Sequence, residues 1–492
     1  MTTSIKRLLG SLLLLGLVFS FVSFAAPTRA SASSNNLFTI VLKGETVSTS
    51  ALDAIQAAGG VVVERVDEIG VVQVQASNAT RFLKSILKYQ ELALVGPSLQ
   101  ATLDLPEVNE ADAPASVVAT NDPSAYLWNI DRVTNNGAAW ETHTGSKDVV
   151  VGVIDTGFDF NHPDLKANIV PGSETFVPGT TDAWDAHSHG THVAGTIAAN
   201  GGIKGVAPNV GLRAYRVFNT GSAKQIWITN AIIAAAEDRV DVINMSLGGT
   251  RVIGQWFYTD PATGERIALG NDAADWVAYE RAVRYAVNRN VTVVASAGND
   301  AIDLSNKNGV TRWYNALLQR FGLTQYEVVG AGFKVPAMTP GVVTVSATGG
   351  GFGTKDRLAF FSNYGSGAIN VAAPGGDCGL LDSCNAKLRP ADWYKYLVLS
   401  TVPTYLPCST TAKNLFGTCN YGWKAGTSMA SPAAAGVAAL IISQEFERTG
   451  VKPSPAQVVT KLQQTTEDIG KVGYDNLYGH GLVNAYNAVN GR

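Results

Sequence analysis

Four short apolar runs constrain the fold of this chain more than any other feature. They are residues 149–154, 240–246, 291–296 and 342–346. Their apolar residues run together instead of alternating with polar ones, so each reads as a strand buried on both faces. Longer stretches at helical spacing lie between them, such as residues 276–288. Strands of this kind separated by helices predict an α/β fold with a mainly parallel, doubly wound sheet. The ligand crevice of such a sheet lies beyond the carboxyl ends of its strands. Asp155, Ser246 and Asn299 stand at such ends and are therefore site candidates.

Three further blocks carry chemistry. Gly426-Thr427-Ser428-Met429-Ala430-Ser431-Pro432 puts a serine among small residues at the start of an apolar run, 433–442. A hydroxyl there is a nucleophile only if a base takes its proton; otherwise it is an N-cap. His189-Gly190-Thr191-His192 offers the base, and Asp155-Thr156-Gly157 offers a carboxylate. Two rival readings fail on the residues. His189 and His192 share a helical face, but the hydrolytic zinc motif HExxH needs a glutamate where Gly190 stands. An aspartic protease needs two catalytic aspartates, and no second Asp-Thr-Gly or Asp-Ser-Gly occurs.

The order Asp155, His189, Ser428 is the subtilisin order of triad residues. With these blocks the chain resembles the subtilisin-like serine proteases (subtilases) over about residues 122 to 490. The resemblance implies a serine endopeptidase acting on polypeptides. It implies Ser428 as nucleophile, His189 as general base, Asp155 as its orienting carboxylate and Asn299 as an oxyanion donor. It further implies that Ser246, Leu247 and Gly248 bind an extended substrate strand, and that Ala297 and Gly298 wall the primary pocket. No cofactor is required for that chemistry. Asp164 matches a calcium ligand of the family. The loop completing that site looks shortened at Asn200-Gly201-Gly202-Ile203-Lys204-Gly205, so no metal residue is assigned and a structural calcium stays open.

The chain divides into four expected segments. Residues 1–32 read as an export signal, with Lys6 and Arg7 ahead of an uncharged run and an alanine-rich exit. The rival is an uncleaved anchor, since residues 8–26 match a bilayer's width; no later segment is expected to be long and apolar enough. Residues 33–103 show strand patterns at 38–42, 60–64 and 71–75 and helical spacing at 79–87. This small α+β module resembles the family's inhibitory pro-region, an intramolecular partner of the protease; the alternative is an independent accessory domain. Residues 104–123 are an acidic, proline-containing linker, expected to hold the maturation cut. Residues 124–492 form the catalytic domain. The reading is thus a secreted, monomeric endopeptidase, no longer membrane-bound once the signal is removed. Its alternatives are a dedicated precursor-processing protease and an inactive secreted binding protein.

Net charge −3 gives no electrostatic case for nucleic acid. An exported chain can oxidise its cysteines. The four, Cys378, Cys384, Cys408 and Cys419, allow three pairings; the local pairs Cys378–Cys384 and Cys408–Cys419 are preferred over a zinc site. Segments near 249–274, 301–336 and 376–421 exceed a minimal member of the family. As long loops beside strand ends, they either rim the cleft or decorate the surface.

Overall fold

The structure, a computed structural model, describes residues 36–103, 122–219, 221–379 and 392–491. The expected signal, most of the linker and Cys384 lie outside the described residues.

The four apolar runs become four neighbouring strands. Across the sheet the order is Val342–Gly351, Thr292–Ser296, Val242–Met245, Val150–Asp155, Gly211–Arg216 and Glu174–Thr175. All these neighbours pair parallel. Val371–Pro374 joins Val342–Gly351 in parallel, and Thr354–Leu358 closes that edge antiparallel. Successive residues feed opposite cores, because side chains alternate across a strand. Val151, Val153, Val242 and Val294 pack under the helices His189–Ala198 and Thr427–Thr449. Ile154, Ile243, Val293 and Ala295 pack under Gln225–Glu237 and Ala273–Asn288. Burial on both faces is why these strands carry no polar alternation.

One expectation fails on length. Thr427–Thr449 is 23 residues and apolar enough to cross a bilayer. Residues 427–443 are all buried inside the protein, so the helix is a core helix.

Residues 36–103 form a separate antiparallel sheet, ordered Gly60–Val66, Val71–Ala76, Leu37–Leu42, Leu92–Pro97. The helices Thr49–Ala57 and Ala79–Ile86 cover one face over a small core of Ile40, Ile55, Val72, Val74, Phe82 and Ile86. Val41, Val66, Ile69 and Val71 instead join the core beneath Gln225–Glu237 and Ala273–Asn288. Thr49–Ala57 went unread in the sequence although its cap was visible: Ser48 accepts from the Ala51 amide.

The two insertions flanking residue 300 are not loops. Gly249–Thr259, Arg266–Gly270 and Tyr326–Val335 make one three-stranded antiparallel sheet. Lys307–Arg320 backs it over Val252, Trp256, Tyr314, Leu318, Tyr326 and Val328. In the third insertion, Val398–Thr401 pairs with Tyr421–Lys424, and Cys408–Cys419 forms the expected disulfide. Cys378 is disulfide-bonded too.

Candidate active site

Asp155 and His189 come together from neighbouring elements. Asp155 is the last residue of Val150–Asp155, and His189 opens the helix His189–Ala198. The imidazole Nδ1 lies 2.8 and 2.9 Å from the two Asp155 oxygens, and both side chains are fully buried. The Thr156 amide donates to Asp155 Oδ1 at 2.7 Å, which fixes the carboxylate's plane. A carboxylate accepting from Nδ1–H leaves Nε2 as the basic nitrogen. That Nε2 is buried and has no hydrogen-bond partner.

Gly190 explains why this is not a zinc motif. A Cβ there would lie 2.3 Å from the Gly157 carbonyl, so the helix can start against the Asp155 turn only with glycine. His192, three residues on, bonds the Val398 carbonyl at 3.1 Å. Burial, then the neighbouring Lys424 and His189, push its pKa well down. It is a packed neutral histidine. The pKa of His187 is also lowered by burial first.

Ser428 is the second residue of Thr427–Thr449. Its hydroxyl donates to the Ser246 carbonyl at 3.2 Å, not to His189. Pro432 explains a second link. Lacking an N–H, it cannot bond the Ser428 carbonyl four residues back. Ser246 Oγ takes that place, donating to the Ser428 carbonyl at 2.8 Å, and it also touches Ser431 Oγ at 2.9 Å. The end of strand Val242–Met245 is thus clamped to the start of the serine helix. Strand Val150–Asp155 is its parallel neighbour, so Asp155 and Ser246 leave the same edge of the sheet. Sequence reading gave Ser246 a substrate role through the backbone of its strand; its side chain faces the interior as this clamp.

Asn299 Oδ1 accepts from the Thr427 amide at 2.8 Å and the Thr427 hydroxyl at 2.9 Å. With the carbonyl end so held, the Nδ2 end of the amide faces away from Thr427. Thr427 Oγ1 accepts in turn from the Gly298 amide at 3.1 Å. Sequence reading missed Thr427, although its place between Gly426 and Ser428 was the available signal. It also missed Asp185, which accepts from Thr156 Oγ1 at 2.8 Å and from the Thr191 amide at 2.9 Å, bracing the Asp155 turn against the His189 helix.

The backbone of the expected substrate strand is occupied. Gly248 and Thr102 exchange both bonds, Thr102 N to Gly248 O at 2.8 Å and Gly248 N to Thr102 O at 3.1 Å. On the other side Gln100–Thr102 pairs antiparallel with Ser222–Lys224. The last residues of the N-terminal module therefore lie as the middle strand of three, leading toward Ser428. Leu247 binds nothing there with its side chain, which is buried in the core. Ala297 is buried as well, and Gly298 sits at φ +100°.

Asp164 does not fit a calcium ion. Its oxygens accept from the Gly202 amide at 2.9 Å, the Ile203 amide at 3.0 Å and the Tyr421 hydroxyl at 2.9 Å. A cation needs lone pairs facing it; here three hydrogens do. The shortened loop thus turns its amides onto the carboxylate that the family resemblance marks as a ligand.

Comparison with known proteins gives the family. Residues 146–481 match the model of the subtilase family, peptidase S8. The epidermin leader peptide-processing serine protease EpiP of Staphylococcus epidermidis is 30% identical over 372 residues, 73% of each chain. Subtilisin E of Bacillus subtilis is 31% identical over 446 residues, 87% of this chain and 91% of that one. The nisin leader peptide-processing protease NisP of Lactococcus lactis is 30% identical, and the match spans about half of its length (52%). Among solved structures, EpiP from Staphylococcus aureus superposes with a TM-score of 0.72 at 26% identity, covering 93% of this chain and 98% of that one. The chain belongs to the subtilase family. It is a serine-type endopeptidase whose substrates are polypeptides.

Proposed function

We propose that this chain is an exported pre-pro-protease whose residues 33–103 occupy its own cleft until a cut within 104–123 releases residues 124–492. The carrying observation is the strand Gln100–Thr102, seated between Gly248 and Ser222–Lys224 on a path toward Ser428. An extended peptide held by main-chain bonds on both sides is how a sheet edge takes a substrate.

Ser428 attacks the substrate carbonyl as its proton passes to His189 Nε2. Asp155 stabilises the imidazolium so formed. The Ser428 amide, near the positive end of its helix, and Asn299 Nδ2 donate to the oxyanion. His189 then protonates the leaving amine, and water releases the acyl group from Ser428. In the described state the Ser428 hydroxyl points to the Ser246 carbonyl, so proton transfer to His189 requires that side chain to turn.

Phosphonate labelling tests the reading. The matured wild type should be labelled on Ser428, and Ser428→Ala should not be. A folded, unlabelled wild type would refute it and favour the inactive binding protein.

A narrower reading, a dedicated precursor-processing protease, draws on the sheet of residues 249–335 that extends the substrate strand itself. The leader peptide processing carried out by EpiP and NisP points the same way. Rapid digestion of casein and unrelated denatured proteins would count against it.

A further inference from the structure

We infer that the primary pocket of this protease selects an acidic side chain before the cut bond, and that Lys334 is the residue that reads it. The inference rests on the cleft assignment above.

The expected wall of that pocket is the pair Ala297–Gly298, and the expected substrate strand beside it is Ser246, Leu247 and Gly248. Lys334 stands against the first and pairs just beyond the second. It pairs with Thr250 across the insertion sheet. A Cβ added to Gly298 would come within 3.0 Å of Lys334 Cε. The lysine is 3% exposed. Its ammonium lies 2.7 Å from Asp300 Oδ2 and 5.1 Å from the centre of the Trp313 ring. Asp300 Oδ2 also accepts from Asn363 Nδ2 at 2.9 Å. The pocket therefore abuts a charge pair whose lysine is buried and whose aspartate is partly exposed. A large apolar side chain placed there would strip water from those charges without replacing its bonds.

Two kinds of charged substrate could answer such a pair, a basic one through Asp300 or an acidic one through Lys334. The substrate the chain carries itself decides. No lysine or arginine occurs between Lys88 and Arg132, so no cut in residues 104–123 can follow a basic residue. The same stretch holds Asp104, Glu107, Glu110, Asp112 and Asp122. The register narrows the choice. Antiparallel pairing moves one residue forward on the peptide for each step back on the strand. A cut peptide that keeps the register of Thr102 opposite Gly248 presents the residue two positions on to Ser246, whose carbonyl receives the Ser428 hydroxyl; by sequence that residue is number 104. Asp104 is thus the residue we assign before the cut. An ammonium carries three N–H donors, so it can bind a substrate carboxylate while keeping Asp300.

The matured full chain should begin at Leu105 by mass spectrometry. Peptides Ala-Thr-Leu-X, cleaved after X, should show kcat/KM at least tenfold higher for X = Asp than for the isostere Asn, and lower values for Arg and Phe. Lys334→Met should erase the Asp-to-Asn ratio. Should that variant fail to fold, Asp300→Asn, which removes the competing carboxylate, should raise the ratio. A preference for Arg, Lys or Phe, or a ratio unmoved in a folded Lys334→Met or in Asp300→Asn, would overturn the inference. Loss of phosphonate labelling in the wild type would instead strike the cleft assignment.

Discussion

At the scale of single residues, the site is a set of donors and acceptors each held by a neighbour. Asn299 shows this best. Thr427 fixes its carbonyl end by two bonds, so the amide end is oriented before substrate arrives. Replacing Asn299 by alanine should lower kcat about 10²–10³-fold with little change in KM, as befits a donor acting on transition-state charge. Steady-state kinetics on one peptide measures this. Asp164 poses the opposite case, a buried carboxylate satisfied by hydrogens. Tyr421→Phe removes one of three donors and should cost about 1.5–3 kcal/mol in denaturant unfolding. Retained stability in Tyr421→Phe would mean that the hydroxyl bond contributes nothing. Ser428, His189 and Asp155 stood out as candidates in the sequence because acyl-transfer chemistry demands those residue types. Thr427 and Asp185 were not, because a hydrogen-bond brace can be built from many residues.

At the scale of elements, the N-terminal module meets the helix Ala273–Asn288 partly through a buried polar cluster. Asp275 Oδ1 accepts from Thr39 Oγ1 at 2.7 Å, and Oδ2 accepts from the Leu99 amide at 3.2 Å and lies 3.3 Å from Arg251 Nε. Burial pushes the Asp275 carboxyl up to about 6; Arg251, Thr39 and the Leu99 amide oppose this, and Asp272 adds to it. On the proposed release of the module, Asp275 loses Thr39 and the Leu99 amide to water, and its carboxyl should return toward its ordinary 3.8. The docked state therefore binds the proton more tightly. Its contribution to docking is complete below pH 3.8 and is lost as pH rises through about 6. Inhibition of the matured enzyme by its own module should weaken by up to about tenfold per pH unit across that window. Asp275→Asn should flatten the profile, measured as the inhibition constant against pH. The existence of the module's strands was legible from short β-rich runs. Its strand Leu92–Pro97 was not, because Gly96 and Pro97 break the β signal.

At the scale of the whole molecule, the central sheet joins strands far apart in sequence, and such parallel pairings close slowly. The module covers Ile226, Tyr279 and their neighbours with Val41, Val66, Ile69 and Val71. Deleting residues 36–103 should reduce the yield of active enzyme on refolding from denaturant, measured as recovered phosphonate-reactive protein; full recovery would confine the module to inhibition. The amino-acid sequence by itself determined the parallel sheet and the identity of the triad candidates. Burial on two faces and acyl-transfer chemistry each leave a local signature. Tertiary structure alone decided that two insertions, 249–270 and 307–335, close into a single sheet and helix. It also decided that Lys334 stands against Gly298 and that Asp164 faces hydrogens instead of a cation. Those outcomes depend on which distant side chains meet, and no periodicity within a segment encodes a partner that lies tens or hundreds of residues away.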